Sequence, residues 1–269
     1  MSRGKLILLI LVGVIAYLIF LITRFPAAQA WALVNDQIPV QASGLSGTVW
    51  EGRAATIYQD GLRLDGVAWT LHPGAALTGR LAADISANLP DGRMRARIER
   101  GASTLRLKDA RLDGSAAGLL ALAGERRINA AGRVDALLRE VEIVDGRLHQ
   151  ADGLINWQNA VLRPGSGLPI GNLSLPLGNL ALRLEPADQG THGTLVSEGG
   201  PLDIEGELKT DPGQGRFVME LMVRVIGEID AETRRALQLL GVPTDGSPTR
   251  SRLTGNLDGT EILLTPAQG

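Results

Sequence analysis

Three histidines are the first place to look for catalysis or metal binding, because a neutral imidazole ligates metals and titrates near neutrality. His72 lies in Leu71-His72-Pro73-Gly74, where a strand enters a turn. His149 lies in a strand-like run beside an Asp-Gly pair, and His192 in the loop Gly190-Thr191-His192-Gly193. None has a second histidine at metal-ligand spacing and there is no HExxH, so turn or surface histidine is the expected role. The chain has no Cys, which excludes thiol catalysis, Cys-ligated zinc and disulfides. No GxSxG elbow, GxxxxGK[ST] loop or helix-opening GxGxxG occurs; Gly165-Ser166-Gly167, between Pro164 and Leu168, reads as loop. Glu140, Glu142 and Asp145 cluster, but a chain with 29 acidic residues has such clusters on solvated strand faces. A two-carboxylate glycosidase site depends on a spatial distance that sequence spacing does not supply. The expectation is a protein without catalytic residues, metal or cofactor.

The tryptophans leave two roles open. Trp50, Trp69 and Trp157 each end a strand-like apolar run. Core packing is the expected role, since a buried indole contributes a large apolar area. The alternative is an exposed anchor for a protein partner.

The elements that would position these residues are strands. Leu81, Ala83, Ile85, Ala87 and Leu89 alternate with polar or small residues; Asp91-Gly92 follows; then Met94, Ala96 and Ile98 alternate with Arg93, Arg95, Arg97 and Glu99. This predicts a β-hairpin. Leu202, Ile204, Gly206 and Leu208 form another face, as do Phe217, Met219, Leu221, Val223 and Val225. Eight Asp-Gly pairs spread along the chain (the first at 60–61, the last at 258–259) suit tight turns and bulges and predict many short strands. They lack the ligand series of an EF-hand and the calcium-binding nonapeptide repeat. An apolar-x-Gly-x-apolar unit recurs, as in Leu45-Ser46-Gly47-Thr48-Val49 and Ile204-Glu205-Gly206-Glu207-Leu208. Its irregular spacing predicts a reused strand type in an antiparallel meander rather than a solenoid.

The parity of alternation slips three times. Leu62 and Leu64 give way to Val67, Trp69 and Leu71; Leu105 and Leu107 to Ala110 and Leu112; Leu173, Leu175 and Leu177 to Leu180 and Leu182. Each slip is either a bulge, which would curve the sheet, or a turn. A sheet with one apolar face must then curl on itself, pair as a sandwich, or leave an open apolar groove. Helix is sparse. Asp230 as N-cap, residues 231–240, Gly241 past the end and Pro243 beyond predict one short helix. Residues 28–35 are a second candidate, and 134–141 reads equally as helix or strand. The Pro- and Gly-rich stretch 163–176 is a candidate subdomain break.

The chain has 269 residues, 44% hydrophobic and 21% charged, with a net charge of −2. That suffices for a packed domain and disfavours both disorder and a basic nucleic-acid interface. Residues 1–24 stand apart. An uncharged run from Leu6 to Ile22, 17 residues through Ile10, Val14 and Leu18, follows Arg3 and Lys5. It is long enough for a short membrane span. Arg3, Lys5 and Arg24 are the only charges there; removing them from the 27 basic residues leaves 24 against 29 acidic, a net −5. Positive-inside reasoning puts the N-terminus in the cytoplasm and the acidic bulk across the membrane. Ala28-Gln29-Ala30 keeps a cleaved signal peptide open as the rival. The expected organisation is a stub and transmembrane anchor over 1–24, a connector over 25–39, and a periplasmic β domain over 40–269.

The segment Ser43-Gly44-Leu45-Ser46-Gly47-Thr48-Val49-Trp50-Glu51-Gly52-Arg53-Ala54 resembles the signature of protein N of the bacterial type II (general) secretion pathway. That family shows a Gly-x-x-Gly-Thr-[Val/Leu]-Trp-x-Gly-x-Ala motif soon after a membrane span. Further matches are the segments around Trp69 (66–71), around Trp157 (153–160) and around Gly241 and Pro243 (239–246), then Leu253-Thr254-Gly255-Asn256-Leu257. The resemblance covers essentially the whole chain. It implies a noncatalytic inner-membrane protein with a periplasmic β domain, accessory to the export of folded proteins. Its implied partners are the inner-membrane platform proteins, with the outer-membrane secretin a further candidate; no cofactor goes with the family. The strand pattern is also similar to AsmA-like envelope proteins, whose curved sheets have an apolar concave face, a likeness of fold only. It supplies the alternative function, a periplasmic lipid-binding or transfer module with an open apolar groove. An enzyme acting on polysaccharide is the third.

Overall fold

Alternation of apolar and polar side chains gives one antiparallel sheet of fifteen strands. The computed structural model describes residues 23–35, 40–59, 62–76, 78–89, 91–122, 128–164, 174–239, 241–257 and 262–266. The strands are β1 (Gln41–Ser43), β2 (Ser46–Gly47), β3 (Glu51–Gln59), β4 (Leu62–Leu71), β5 (Leu81–Leu89), β6 (Gly92–Arg100), β7 (Thr104–Ser115) and β8 (Ile128–Val144). They continue as β9 (Arg147–Pro164), β10 (Leu175–Pro186), β11 (Thr191–Glu198), β12 (Leu202–Asp211), β13 (Arg216–Val225), β14 (Thr249–Asn256) and β15 (Ile262–Pro266). From β3 onward every strand pairs with the next in sequence, and β1 and β2 both pair with β3. The path is open, with β1 at one end and β15 at the other. The hairpin around Asp91-Gly92 forms as predicted, with Leu89 opposite Gly92. Residues 134–141 are strand, inside β8.

All three parity slips are bulges, not turns. Between Asp65 and Ala68 the β4–β5 register shifts, and Gly66 takes the left-handed conformation at φ 57°. Between Arg95 and Arg97 the β6–β7 register shifts, and Asp109 opposite sits at φ 49°. Two shifts around Gly178, at φ 80°, do the same between β9 and β10. An extra residue in one strand restores the apolar side chains to their original face. The slips therefore preserve one continuous apolar face.

Four helices accompany the sheet among the described residues: α1 (Ala27–Val34), α2 (Pro73–Ala76), α3 (Ala116–Leu122) and α4 (Ala231–Leu239). The helix predicted over 231–240 is α4, and its cap is as expected: the Thr233 N–H donates to the Asp230 carboxylate at 2.6 Å. Gly241 follows at φ 74°, and the Val242 N–H closes the end on the Leu237 carbonyl at 2.9 Å. α3 lacked a capping signal and was not expected. Among the described residues no helix is long and apolar enough to cross a membrane. The predicted span, with Leu6, Ile10, Val14, Leu18 and Ile22, lies outside the described residues, as does the centre of the 163–176 stretch. The strands on either side of that stretch, β9 and β10, are hydrogen-bonded partners.

Candidate functional site: a hinge motif and an uncovered apolar face

The residues around Trp50 build a tight, hydrogen-bonded turn. Gly47, at φ 83°, turns the chain so that β2 folds back on β3. The Thr48 hydroxyl accepts the Glu51 N–H at 3.1 Å, and the Thr48 N–H donates to the Glu51 carbonyl at 2.8 Å. The Val49 carbonyl accepts the Trp69 indole N–H at 2.9 Å. Gly52 lies directly under that indole: a Cβ there would come within 2.3 Å of its ring. Gly44, at φ 64°, packs as closely against Ala55. The spacing of Gly44, Gly47, Trp50 and Gly52 is therefore that of a tight turn with a tryptophan from the next strand laid on it. Trp50 itself is half-buried, and its carbonyl accepts the Leu71 N–H. The same turn grips the chain that precedes the sheet. The Val49 N–H donates to the Phe25 carbonyl at 3.0 Å, and Pro26 bridges to Thr48.

Trp157 repeats the device farther along. Its indole N–H donates to the Ala131 carbonyl at 3.0 Å, where a bulge shifts the β8–β9 register. Both Trp69 and Trp157 are half-buried members of apolar clusters rather than exposed anchors. Gly241 ends α4, and Pro243 is exposed beyond it.

Register assigns every strand residue to one of two faces. The polar face carries cross-strand ion pairs. Arg106 meets Glu142 at 2.6 Å, Lys108 meets Glu99 at 3.1 Å, and Arg97 meets Asp84 at 2.7 Å. The Arg97 guanidinium and then the His72 imidazole hold the Asp84 carboxyl below its ordinary range. Glu140 and Glu142, a candidate acid pair in the sequence, belong to this ladder around Arg106. A shallow cavity of about 410 Å³ on this face mixes Arg95, Arg97 and Arg111 with Asp84 and Asp109. Among the described residues no three metal-ligating side chains come together.

The other face is largely apolar, broken by residues such as Arg100, Thr191 and Thr210, and the sequence did not show how it would be finished. Over β9 to β13 it is covered. α4 and Val242 pack on it, and Leu177, Leu202, Ile204 and Leu237 are buried there. Over β5 to β8 the pattern inverts. Apart from Leu89 beside α3, the buried residues of this face are alanines, Ala87, Ala96, Ala110 and Ala136. The larger side chains beside them, such as Ile85, Ile98, Leu105, Leu107, Leu138 and Val141, are only partly buried. A short side chain is buried by its neighbours; a long one is buried only by something above it. Nothing in the described chain lies above these.

α3, about 10 Å long, touches β4, β7 and β8, so it lies across one end of this face. Leu119 of α3 lies over Gly114 on the apolar face, beside Leu89, which is buried.

A family model for type II secretion system protein N matches residues 39–251. The chain belongs to that family. It is also 30% identical over 169 residues to the type II secretion system protein N of Vibrio cholerae serotype O1, a match covering 57% of this chain and 61% of that relative. No solved structure matches the chain. The family match begins just before the hinge motif and includes the face over β5 to β8, Trp157 and α4, and it ends within β14.

Proposed function

We propose that the chain is a noncatalytic component of the type II secretion system, supporting export of folded proteins across the outer membrane. The observation that carries this is the family match over residues 39–251. In this reading residues 1–24 form a retained inner-membrane anchor with the N-terminus in the cytoplasm, and the β domain stands in the periplasm. The motif gives that arrangement a physical purpose. Phe25 and Pro26 are bonded into the Thr48–Val49 turn, so an anchor ending near Arg24 would hold the first strands at short, fixed reach from the bilayer. Partners are other secretion components, the inner-membrane platform proteins first and the secretin as a further candidate. The likeness to AsmA-like envelope proteins belongs to the same proposal and is supported by the one-sided, bent sheet.

The test is a deletion strain in which culture supernatant, periplasm and envelope integrity are assayed together. Exoproteins accumulating in the periplasm behind an intact envelope are the expected result. Normal secretion with a leaking envelope would overturn it and favour lipid transfer as the main role.

A further inference from the structure

We infer that α1 is an interfacial helix: its exposed face lies in the headgroup layer of a phospholipid bilayer and sets how the β domain stands on the membrane. The inference rests on the reading of residues 1–24 as a retained anchor, and it adds a second membrane contact outside that anchor.

Three observations carry it. The first is the chemistry of the helix surface. From Phe25 through Asn35 the chain has no charge. α1 packs on β2 and buries Ala27. Its outward arc is Ala28, Gln29, Ala32 and Leu33. Leu33 is 70% exposed, more than any other large apolar side chain among the described residues. α4 shows what a water-facing helix of this protein carries: Glu232, Arg234 and Arg235 are all exposed on it. An uncharged arc on a surface helix suits the membrane interface rather than open water.

The second is Trp31. Trp69 and Trp157 each spend the indole N–H on a backbone carbonyl. Trp31, at the edge of the arc and only partly buried, makes no such bond among the described residues. An indole with an apolar body and a free donor is the side chain that collects at the headgroup level.

The third is reach. Ile22 ends the uncharged run that starts at Leu6, and α1 begins five residues later, at most about 17 Å of extended chain. Arg24 is in a turn, which shortens that path. Pro26 is extended, at ψ 137°, and the Phe25 carbonyl is taken by the Val49 N–H. α1 therefore does not run on from Thr23; it leaves in a direction fixed by the Thr48–Val49 turn. A polypeptide is the other occupant an uncharged arc could take, but an arc this close to the anchor meets the bilayer first.

The chain has no Cys, so a single introduced thiol carries a fluorescent probe without background. Leu33→Cys and Ala32→Cys report the arc. Val196→Cys and Ile226→Cys, at exposed apolar positions on β11 and beyond β13, report water. Each full-length variant is placed in nanodiscs of phosphatidylethanolamine and phosphatidylglycerol, which leave both membrane faces open to iodide. On the arc the probe is expected to lose most of its emission to a nitroxide-labelled lipid and little to iodide; at the two control positions the reverse is expected. Arc probes quenched by iodide, or by neither quencher as under a polypeptide or a second copy, would overturn the inference. Membranes from cells making the same variants are extracted with alkaline carbonate. Release of the chain would overturn the anchor reading and this inference with it. Retention of the chain together with iodide-quenched arc probes would overturn this inference alone.

Discussion

The stretch from β9 to β13 and the stretch from β5 to β8 carry the same kind of apolar strand face but finish it differently. In the first, α4 is laid across the face, and Leu202 and Leu237 are 2% and 1% exposed. In the second only the short α3 lies on one end of the face, the residues buried there are mostly alanines, and Leu81 at the other end is 65% exposed. Similar strand patterns thus yield fully buried Leu and Ile side chains under α4 and mostly partly exposed ones where no such helix lies. Alternation specifies which side chains share a face. Only a covering element turns that face into a core.

The largest effect expected from this contrast is at the covering helix. Leu237→Ala should lower stability by about 3–4 kcal/mol, because a cavity opens where no water was admitted. Denaturant unfolding of the full chain measures it, and a loss near zero would show that α4 is not the lid of that half. Thr191→Val should cost about 1–3 kcal/mol. Its hydroxyl accepts the Ala151 N–H at 2.8 Å in a buried position, and the valine leaves that donor unpaired. Gly52→Ala should cost a similar amount, about 1–3 kcal/mol, by pushing the Trp69 ring off the turn; the Trp69 indole N–H should then exchange faster with solvent. Leu107→Ser in the less covered half should cost less than Leu237→Ala, about 1–2 kcal/mol, since Leu107 is only partly buried. If it matched Leu237→Ala, the face over β5 to β8 would be as fully covered as the one under α4, and the comparison would fail.

The smallest expected effect is acid sensitivity on the polar face. Arg97, and then His72, lower the folded-state value of Asp84. The contribution is therefore complete above the ordinary carboxylate value, about pH 4, and is lost as pH falls through the lowered folded value. Asp84→Asn should remove that portion of the acid-induced loss of stability. The effect is small because all three side chains are well exposed to solvent.

Much of the sheet was legible residue by residue. The slips at Gly66, Asp109 and Gly178 were visible as broken alternation, and the apolar face could be followed across each once they were resolved as bulges. α4 was legible because Asp230, Gly241 and Pro243 are local signals that act within a turn of the helix. α3 was not, because Ala116–Leu122 carries no acidic first turn, no basic last turn and no alternation. The tryptophans were read as core or partner anchor. Trp69 and Trp157 are half-buried, each held by an indole hydrogen bond to a backbone carbonyl, an arrangement that spacing does not reveal. The motif around Trp50 was recognised as a signature before its work was visible: Gly52 makes room for a residue 17 positions later.

The sequence by itself determined that this protein is an antiparallel meander with one apolar and one charged face, because side-chain alternation and turn residues act over a few residues. It also determined the family, through a motif whose residues are close in the chain. Tertiary structure alone decided which part of the apolar face became core. That outcome depends on where α3 and α4 land and on how far the bulges bend the strands beneath them, and both are set by contacts between residues distant in sequence.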